Sequence, residues 1–246
     1  MKYLLFLIFI IILIPTLFAG TRHQSVSDQS LLHNSDNYKC IVQIWIDKPD
    51  GRYKASGVLI SKDAILTSGH ILYGEKIDSE KITVIYLTKQ FKATSYIIHK
   101  DFKYHSDNDL AIIKIFGFID ETYPELYDKS DEIGKLAYLG GYGATGTGET
   151  GYNNWDFQLR IGTNIIEYIH GDLLMCTMSR NNFTKYEFIT CPGDSGGGLF
   201  IDKKLAGINS SLFSDKKDVK PTGKYNHTSG HTRISNHLEW IKNSIY

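Results

Sequence analysis

The chain has 246 residues, of which 42% are hydrophobic and 22% charged, and 27 Lys or Arg balance 27 Asp or Glu. This composition is typical of a globular protein and argues against a disordered or collagen-like chain. A formal net charge of zero offers no electrostatic attraction to nucleic acid or to an acidic membrane surface, so neither is predicted as a partner.

Residues 1–19 have the features of a secretory signal peptide. Lys2 gives a positive start, residues 4–18 form an apolar run, and Ala19-Gly20 offers small residues at which a signal peptidase could cut. An uncleaved membrane anchor is the alternative, but this run is shorter than the about 20 residues that a spanning helix needs. We therefore predict a secreted protein, extracellular or periplasmic, without a stable membrane span.

The next segment, residues 20–37, is polar and shows no sustained hydrophobic period, which favours a loose leader or propeptide. From Tyr38 onward apolar and polar residues alternate, as strands require. Further strand candidates follow at 57–60, 64–67, 82–87, 94–99, 110–115, 135–139, 157–161, 188–190, 198–201 and 205–208. Strands at this spacing are typical of barrels or a sandwich and not of βαβ units.

The one clear helix is predicted at the end of the chain, over residues 235–245. Ser235 can act as its N-cap, and Leu238, Ile241 and Ile245 recur on one face at helical spacing. The chain is therefore predicted to be all-β with a C-terminal α-helix.

A glycine-rich segment at residues 141–146 matches the GxGxxG pattern of dinucleotide-binding proteins. That motif needs a helix to begin there so that its N-terminus can receive the pyrophosphate, but turn residues follow instead. We interpret the segment as a surface loop. The histidines are scattered, with no HExxH and no CxxC motif, so neither a metal nor another cofactor is predicted.

The strongest indication of chemistry is the segment from Cys191 to Gly198, which reads CPGDSGGG. A serine flanked by glycines on a tight turn is exposed, and its neighbouring backbone N–H groups can converge on one point, as an oxyanion hole requires. Taken alone, the segment would also suit a hairpin turn. His70 at the end of an apolar run and Asp109 before a β run favour catalysis, because His, Asp, Ser is a known chain order of the catalytic triad.

These residues resemble the trypsin/chymotrypsin family of serine endopeptidases. The resemblance is carried by the histidine segment (56–60 and 65–70), the aspartate segment (108–111), the serine segment (193–197), the pocket strand (207–210) and the closing strand and helix (232–241). It covers residues 38–246 and implies two six-stranded antiparallel β-barrels with the active site in the cleft between them. By this resemblance the first barrel spans about 38–125, the second about 130–234, and the helix 235–245.

The resemblance also implies the catalytic roles. Ser195 attacks the peptide carbonyl, His70 accepts and returns the proton, and Asp109 orients the imidazole. The backbone N–H groups of Gly193 and Ser195 form the oxyanion hole. Ser210 supports the triad by donating a hydrogen bond to Asp109.

Asp194 is implied to be a further supporting residue. In the family, a newly formed chain end pairs with the aspartate before the nucleophile, but the family's N-terminal sequence is absent from residues 20–38. Asp194 therefore pairs with a different group, or the enzyme is active without this step. Cys176 and Cys191 resemble family cysteines whose partners are missing, so they pair with each other or stay reduced.

The resemblance places the P1 pocket at Ile189, Thr190, Leu212 and Ser229. Ile189 carries no charge, so burial of a cationic P1 side chain is unfavourable. Leu212 narrows the pocket, which favours small or medium aliphatic P1 residues over Phe or Tyr. Cleavage after Glu is the alternative, because Thr190 is similar to a residue of Glu-specific relatives.

The sequence thus predicts a secreted serine endopeptidase that hydrolyses peptide bonds through an acyl-enzyme and prefers an apolar P1 residue. A catalytically inactive or zymogen-locked homologue that acts as a binding protein is the alternative. The predicted partners are polypeptide substrates and protein inhibitors.

Overall fold

The computed structural model describes residues 20–74, 76–103, 107–216 and 219–245. The predicted signal peptide, residues 1–19, lies outside the described residues. Within the described ranges, none of the helices combines the length and the apolar character needed to cross a membrane.

Most of the regular structure is β-strand, as the sequence predicts. The strands are β1 (Gly20–Arg22), β2 (Ile41–Lys48), β3 (Gly51–Ser61), β4 (Ala64–Thr67), β5 (Ile82–Tyr86), β6 (Lys89–Ile98), β7 (Ala111–Ile115), β8 (Leu136–Gly141), β9 (Thr145–Thr147), β10 (Gly151–Asn154), β11 (Arg160–Ile165), β12 (Tyr168–His170), β13 (Leu173–Thr177), β14 (Phe188–Ile189), β15 (Gly198–Ile201), β16 (Lys204–Phe213) and β17 (Thr228–Arg233). The α-helices are α1 (Asp28–Ser35) and α2 (Leu238–Ile245), and 3₁₀ helices cover Gly69–Ile71, Ser79–Lys81 and Ile234–Asn236.

The first barrel is closed, with strand order β2-β3-β4-β7-β6-β5. Aliphatic side chains such as Ile44, Leu66 and Ile113 are fully buried in its core. Closure pairs every strand on both sides, so this barrel exposes no strand edge. The predicted six-stranded first barrel is therefore confirmed.

The second sheet has seven strands in the order β11-β8-β15-β16-β17-β13-β12 and curls into a half-barrel around a core that includes Leu139, Leu174 and Leu199. It differs from the predicted closed six-stranded barrel. The additional strand is β12, a three-residue edge strand paired with β13 whose residues are largely exposed. Such a strand carries no apolar alternation, so the sequence pattern does not reveal it.

Residues 20–37, expected to be loose, are ordered against the second half of the molecule. β1 pairs parallel to β9 and antiparallel to β14, while α1 packs on β11 and buries Leu31 completely. Polar contacts hold the helix: Ser27 caps its N-terminus, and Asp28 accepts hydrogen bonds from Arg160 Nε and Nη2 at 2.7 and 3.0 Å. Because these contacts are polar, the segment lacks the apolar period by which a helix is predicted.

The C-terminal helix α2 begins at Leu238 and not at the predicted position 235. The Ser235 hydroxyl does not cap the helix, since it donates to Glu132 Oε1 at 3.0 Å, and a 3₁₀ turn precedes α2. α2 packs against the first barrel: Ile241 is fully buried, and Lys114 Nζ on β7 donates to the Ile245 carbonyl at 2.5 Å. The two ends of the described chain thus attach to opposite halves of the fold.

Candidate active site

Three polar side chains meet where the first barrel faces the second sheet. His70 lies in the 3₁₀ helix that follows β4, and Asp109 comes two residues before β7, so the first barrel supplies both. Ser195 lies in the loop between β14 and β15 of the second half. The site therefore depends on how the two halves pack.

The three side chains form one hydrogen-bonded chain. His70 Nε2 lies 3.0 Å from Ser195 Oγ, and His70 Nδ1 lies 2.8 Å from Asp109 Oδ2. A neutral imidazole that donates from Nδ1 to Asp109 leaves Nε2 as the acceptor for the serine hydroxyl. The predicted residues His70, Asp109 and Ser195 are thus brought together in the order that proton transfer from the serine requires.

Asp109 is held on three sides. Its Oδ1 accepts the His70 backbone N–H at 2.8 Å, and Oδ2 accepts the Ser210 hydroxyl at 2.6 Å as well as the imidazole. Only 3% of Asp109 is exposed. Burial alone would raise the pKa of this carboxyl, but the hydrogen bonds from His70 and Ser210 outweigh it, so its pKa lies below the ordinary value.

The loop around Ser195 adopts a backbone that glycine permits. Gly193 has φ +94° and Gly196 has φ +83°, and a Cβ at Gly196 would lie 2.0 Å from Thr67 Oγ1. In the described part of the chain, the backbone N–H groups of Gly193 and Ser195 donate to no acceptor. Two unsatisfied donors on either side of Asp194 are suited to bind an anion next to Ser195.

Sequence reasoning missed Ser56, which fixes this loop from the first barrel. Its hydroxyl donates to the Gly193 carbonyl at 3.0 Å and accepts the Tyr142 N–H at 2.9 Å, while its own N–H donates to the Ser195 carbonyl at 2.9 Å. Ser56 opens the segment 56–60 that carries the histidine resemblance, but a strand serine has no pattern that distinguishes such a role.

The side chain of Asp194 is completely buried below the loop. Oδ1 accepts the Gly143 N–H at 2.7 Å and Oδ2 accepts the Cys191 N–H at 2.8 Å. Burial raises the pKa of Asp194 to about 7, against a partial lowering by these N–H groups and by Arg160 at longer range. No cationic side chain of the described residues forms an ion pair with it.

The glycine-rich segment 141–146 packs against Asp194 and is largely buried. Its interpretation as a surface loop was therefore wrong, although no helix follows it and β9 begins within it, as the exclusion of a nucleotide site requires. A Cβ on Gly143 would lie 2.5 Å from Asp194 Cγ, so glycine is needed for this approach.

A cavity of about 180 Å³ opens beside Ser195. Its lining consists of Thr190, Cys191, Pro192, Ser195, Asn209, Ser210, Ser211 and Leu212. Two of the four residues predicted for the P1 pocket, Thr190 and Leu212, thus line it.

The other two predicted pocket residues, Ile189 and Ser229, are fully buried and are not among those that line the cavity. Ile189 lies below, in an apolar cluster with Met178 and Tyr225 against which Leu212 packs. The Ser229 hydroxyl lies 3.0 Å from His231 Nε2. Sequence reasoning missed Met178 and Tyr225, since both reach Ile189 through contacts across the fold that spacing along the chain does not show.

The three cysteines, Cys40, Cys176 and Cys191, are buried free thiols. Of the two alternatives left open by the sequence, the structure therefore has Cys176 and Cys191 unpaired. Burial raises the pKa of the Cys40 thiol to about 12, so this side chain stays a thiol and packs as a small apolar group.

A serine, a histidine and an aspartate hydrogen-bonded in series between two β-structures, beside two free backbone N–H groups, define a serine endopeptidase of the chymotrypsin fold. A family model described as trypsin matches residues 32–241. The chain belongs to the trypsin family.

Individual relatives agree with this family. A trypsin from Phaedon cochleariae is 28% identical over 205 residues, which cover 75% of this chain and 76% of that protein. An uncharacterised peptidase from Corynebacterium glutamicum is 25% identical over 230 residues, covering 92% and 75%. Among solved structures, mouse neuropsin, a serine protease, superposes with a TM-score of 0.62 at 20% identity, covering 83% of this chain and 94% of its own, which is a likeness of fold.

Proposed function

We propose that the chain is a secreted endopeptidase that cleaves after small or medium aliphatic P1 residues by a Ser-His-Asp mechanism. The observation that carries the catalytic proposal is the series of hydrogen bonds from Ser195 Oγ to His70 Nε2 and from His70 Nδ1 to Asp109, at 3.0 and 2.8 Å. A catalytically inactive homologue has no need for both contacts, and no feature of the described residues favours a pure binding role.

In the first half of the reaction, Ser195 Oγ forms a bond to the peptide carbonyl carbon while its proton moves to His70 Nε2. The carbonyl electron pair moves onto oxygen, and the resulting oxyanion accepts the N–H groups of Gly193 and Ser195. The intermediate then collapses: the C–N bond breaks, and the leaving amine takes the proton from His70. The product is an acyl-enzyme on Ser195.

In the second half, water attacks the acyl carbonyl and transfers its proton to His70 Nε2. Collapse returns that proton to Ser195 Oγ and releases the carboxylic acid. Asp109 stays ionised throughout because its pKa is already lowered, and it stabilises the imidazolium that forms twice per cycle.

The substrate backbone is proposed to lie along the end of β16. β15 pairs with β16 only as far as Ile208, so residues 211–213 pair with β17 on one side alone. A cavity of about 660 Å³, lined in part by His70, Ser211, Leu212 and Phe213, runs along that free edge. An extended peptide can add to such an edge through main-chain hydrogen bonds.

The P1 preference is proposed from the small cavity beside Ser195. No charged residue lines it, and the cluster of Met178, Ile189 and Tyr225 fills the space below Leu212. A cationic P1 side chain would be buried without a counter-charge, and an aromatic ring would meet Leu212. Val, Leu and Ala at P1 satisfy both restrictions.

A P1-randomised peptide library tests this preference. The native enzyme should cleave after Val, Leu or Ala, and Leu212→Gly should raise kcat/KM for Phe or Tyr substrates by about 10-fold or more, since pockets discriminate by about 1–3 kcal/mol per methylene. Phe213→Gly is the matched control for selectivity: Phe213 lines the substrate cleft but not the P1 cavity, so its loss should change kcat/KM for all substrates alike and leave the P1 preference unchanged. Dominant cleavage after Arg, Lys or Glu would overturn the pocket assignment.

Secretion and the start of the mature chain belong to the same proposal. Cleavage between Ala19 and Gly20 would remove residues 1–19 and leave the chain to begin at β1, the first described strand. Residues 20–37 are then part of the mature domain and not a leader. Mass spectrometry of the exported protein tests this: a mature start near residue 38 would refute it.

A further inference from the structure

A buried asparagine lies directly beneath the Ser195 loop. Asn209 on β16 is 1% exposed, and its side-chain Nδ2 donates to the carbonyls of Gly140 and Asp194 at 2.9 and 3.0 Å. Its backbone joins the same loop, since its N–H donates to the Gly197 carbonyl at 2.9 Å and its carbonyl accepts the Gly196 N–H at 2.8 Å. Asn209 therefore makes three direct contacts with residues that flank Ser195.

The contact with Asp194 determines where the Ser195 N–H points. The Asp194 carbonyl and the Ser195 N–H belong to one planar trans peptide, so they project in opposite directions. Asn209 Nδ2 at 3.0 Å and the Gly197 N–H at 2.8 Å together hold the carbonyl on the inner side of the loop, so the Ser195 N–H must face the outer side, next to Ser195 Oγ. Rotation of this peptide would withdraw a donor from the oxyanion.

The amide of Asn209 is itself held in one orientation by His231. His231 Nδ1 lies 2.8 Å from Asn209 Oδ1, and Ser229 Oγ lies 3.0 Å from His231 Nε2. Asn209 Nδ2 donates both of its protons to carbonyls, which leaves Oδ1 facing His231. An amide oxygen can only accept a hydrogen bond, so the imidazole must carry its proton on Nδ1. Burial keeps this ring neutral, and a flipped amide would leave His231 facing an N–H group.

We propose that Asn209, oriented by His231, is a positioning residue for the oxyanion hole: through the Asp194 carbonyl it fixes the peptide that presents the Ser195 N–H. The inference rests on the proposed function, because it takes that N–H as an oxyanion donor. It predicts a loss confined to states in which the substrate oxygen carries negative charge.

The test compares Asn209→Ala with the native enzyme in two measurements. Because Asn209 also lines the P1 cavity, the substrate carries Ala at P1; we then expect kcat to fall about 10- to 100-fold with KM changed less than 2-fold, since outright removal of a donor typically lowers the rate about 10²–10³-fold. Inhibition by a peptide aldehyde, whose hemiacetal oxygen occupies the oxyanion hole, should weaken by the same factor. Binding of the matching peptide alcohol, which has no carbonyl or carboxylate oxygen to place in the oxyanion hole, should be unchanged.

His231 is tested with two variants. His231→Gln keeps one group that donates and one that accepts, so it should retain activity within about 3-fold, whereas His231→Leu leaves the Asn209 amide free to rotate and should lower kcat about 10-fold.

The control for lost stability is Asn164→Ala. Asn164 is 2% exposed, and its Nδ2 donates to the carbonyls of Thr177 and Phe188 at 3.1 and 3.0 Å, away from Ser195. It should destabilise the fold as much as Asn209→Ala without changing kcat. If Ser195→Ala is inactive but Asn209→Ala keeps native kcat and aldehyde affinity, the positioning role is refuted. If Ser195→Ala keeps full turnover, the proposed function itself fails.

Discussion

The buried carboxylate of Asp194 leads to a prediction about the chain end. Its pKa is raised by burial from 3.8 to about 7, so ionisation at neutral pH costs about 4 kcal/mol relative to a solvated carboxylate. Because the folded-state pKa of this acid is raised, the penalty is absent below pH 3.8, grows as pH rises from 3.8 to about 7, and stays constant above that. A cation placed beside Asp194 would offset it.

The position of β1 indicates where such a cation comes from. Gly20 lies opposite Thr145 in a parallel pair, two residues along the chain from Gly143, whose N–H binds Asp194. We therefore expect an α-amino group on Gly20 to pair with the buried carboxylate. A single further residue, Ala19, would replace that cation with a neutral amide.

The experiment therefore compares two enzymes that differ by one residue at the amino terminus, one beginning at Gly20 and one at Ala19. An enzyme beginning at Gly20 should exceed the enzyme that retains Ala19 by about 10²–10³-fold in kcat/KM, since about 4 kcal/mol of electrostatic support for the loop is lost. Activity of the shorter enzyme should also decline at a pH above about 8, because pairing with Asp194 raises the pKa of the α-amino group above its ordinary value. Burst titration with an activated ester counts the competent sites.

A double-mutant cycle supplies the control. In Asp194→Asn the charge is gone, so addition of Ala19 should change kcat/KM no further. Equal kcat/KM for the two lengths in the native background would refute the reasoning.

Further predictions concern the nucleophile, the N-terminal helix and a buried histidine. Ser195→Ala should abolish labelling by a fluorophosphonate probe while the melting temperature stays within a few degrees, because little apolar surface is lost. Asp28→Ala should lower the free energy of unfolding by about 1.5–3 kcal/mol, since the buried Arg160 loses one of its two carboxylates and keeps Asp156, whereas Asp36→Ala at an exposed pair should cost below about 0.5 kcal/mol by urea unfolding. Burial lowers the pKa of His231 from 6.5 to about 3, so the unfolded chain binds one more proton than the folded protein between these pH values. The free energy of unfolding therefore decreases as the pH is lowered from 6.5 towards 3. Relative to His231→Gln, the native protein should lose about 3 kcal/mol between pH 7 and pH 4.5 in urea titrations; an equal loss in both proteins would contradict this.

The sequence predicts those features whose signal lies in a short stretch of chain. His70, Asp109 and Ser195 each sit beside neighbours that mark them, and the strands of the closed barrel show their own alternation. α1 has no such signal, because Leu31 is its one buried residue and the partner of Asp28 lies far along the chain.

The parts of the site that sequence reasoning missed depend on contacts across the fold. The sequence around Asn209 does not show whether its side chain faces water or donates to two carbonyls. The packing of β16 beneath the serine loop determines that it donates to the carbonyls of Gly140 and Asp194. The surroundings of Ile189 depend likewise on a contact across the fold, since Tyr225 packs in one cluster with it. The spacing from Ser195 along the chain predicts that Ile189 belongs to the P1 pocket. It does not show that Leu212 packs against the cluster that contains Ile189.

The attachment of each chain end to the opposite half of the fold bears on cooperativity. β1 and α1 complete the second half before the chain enters the first barrel, and α2 returns to that barrel after the second half is finished. Neither half keeps all its native contacts if the other separates, so the free energies of unfolding of the two are coupled. We expect one calorimetric transition, with equal van't Hoff and calorimetric enthalpies, in place of two domain transitions. The catalytic hydrogen bonds across the cleft should then be lost only in global unfolding, and not through hinge motion of independent barrels.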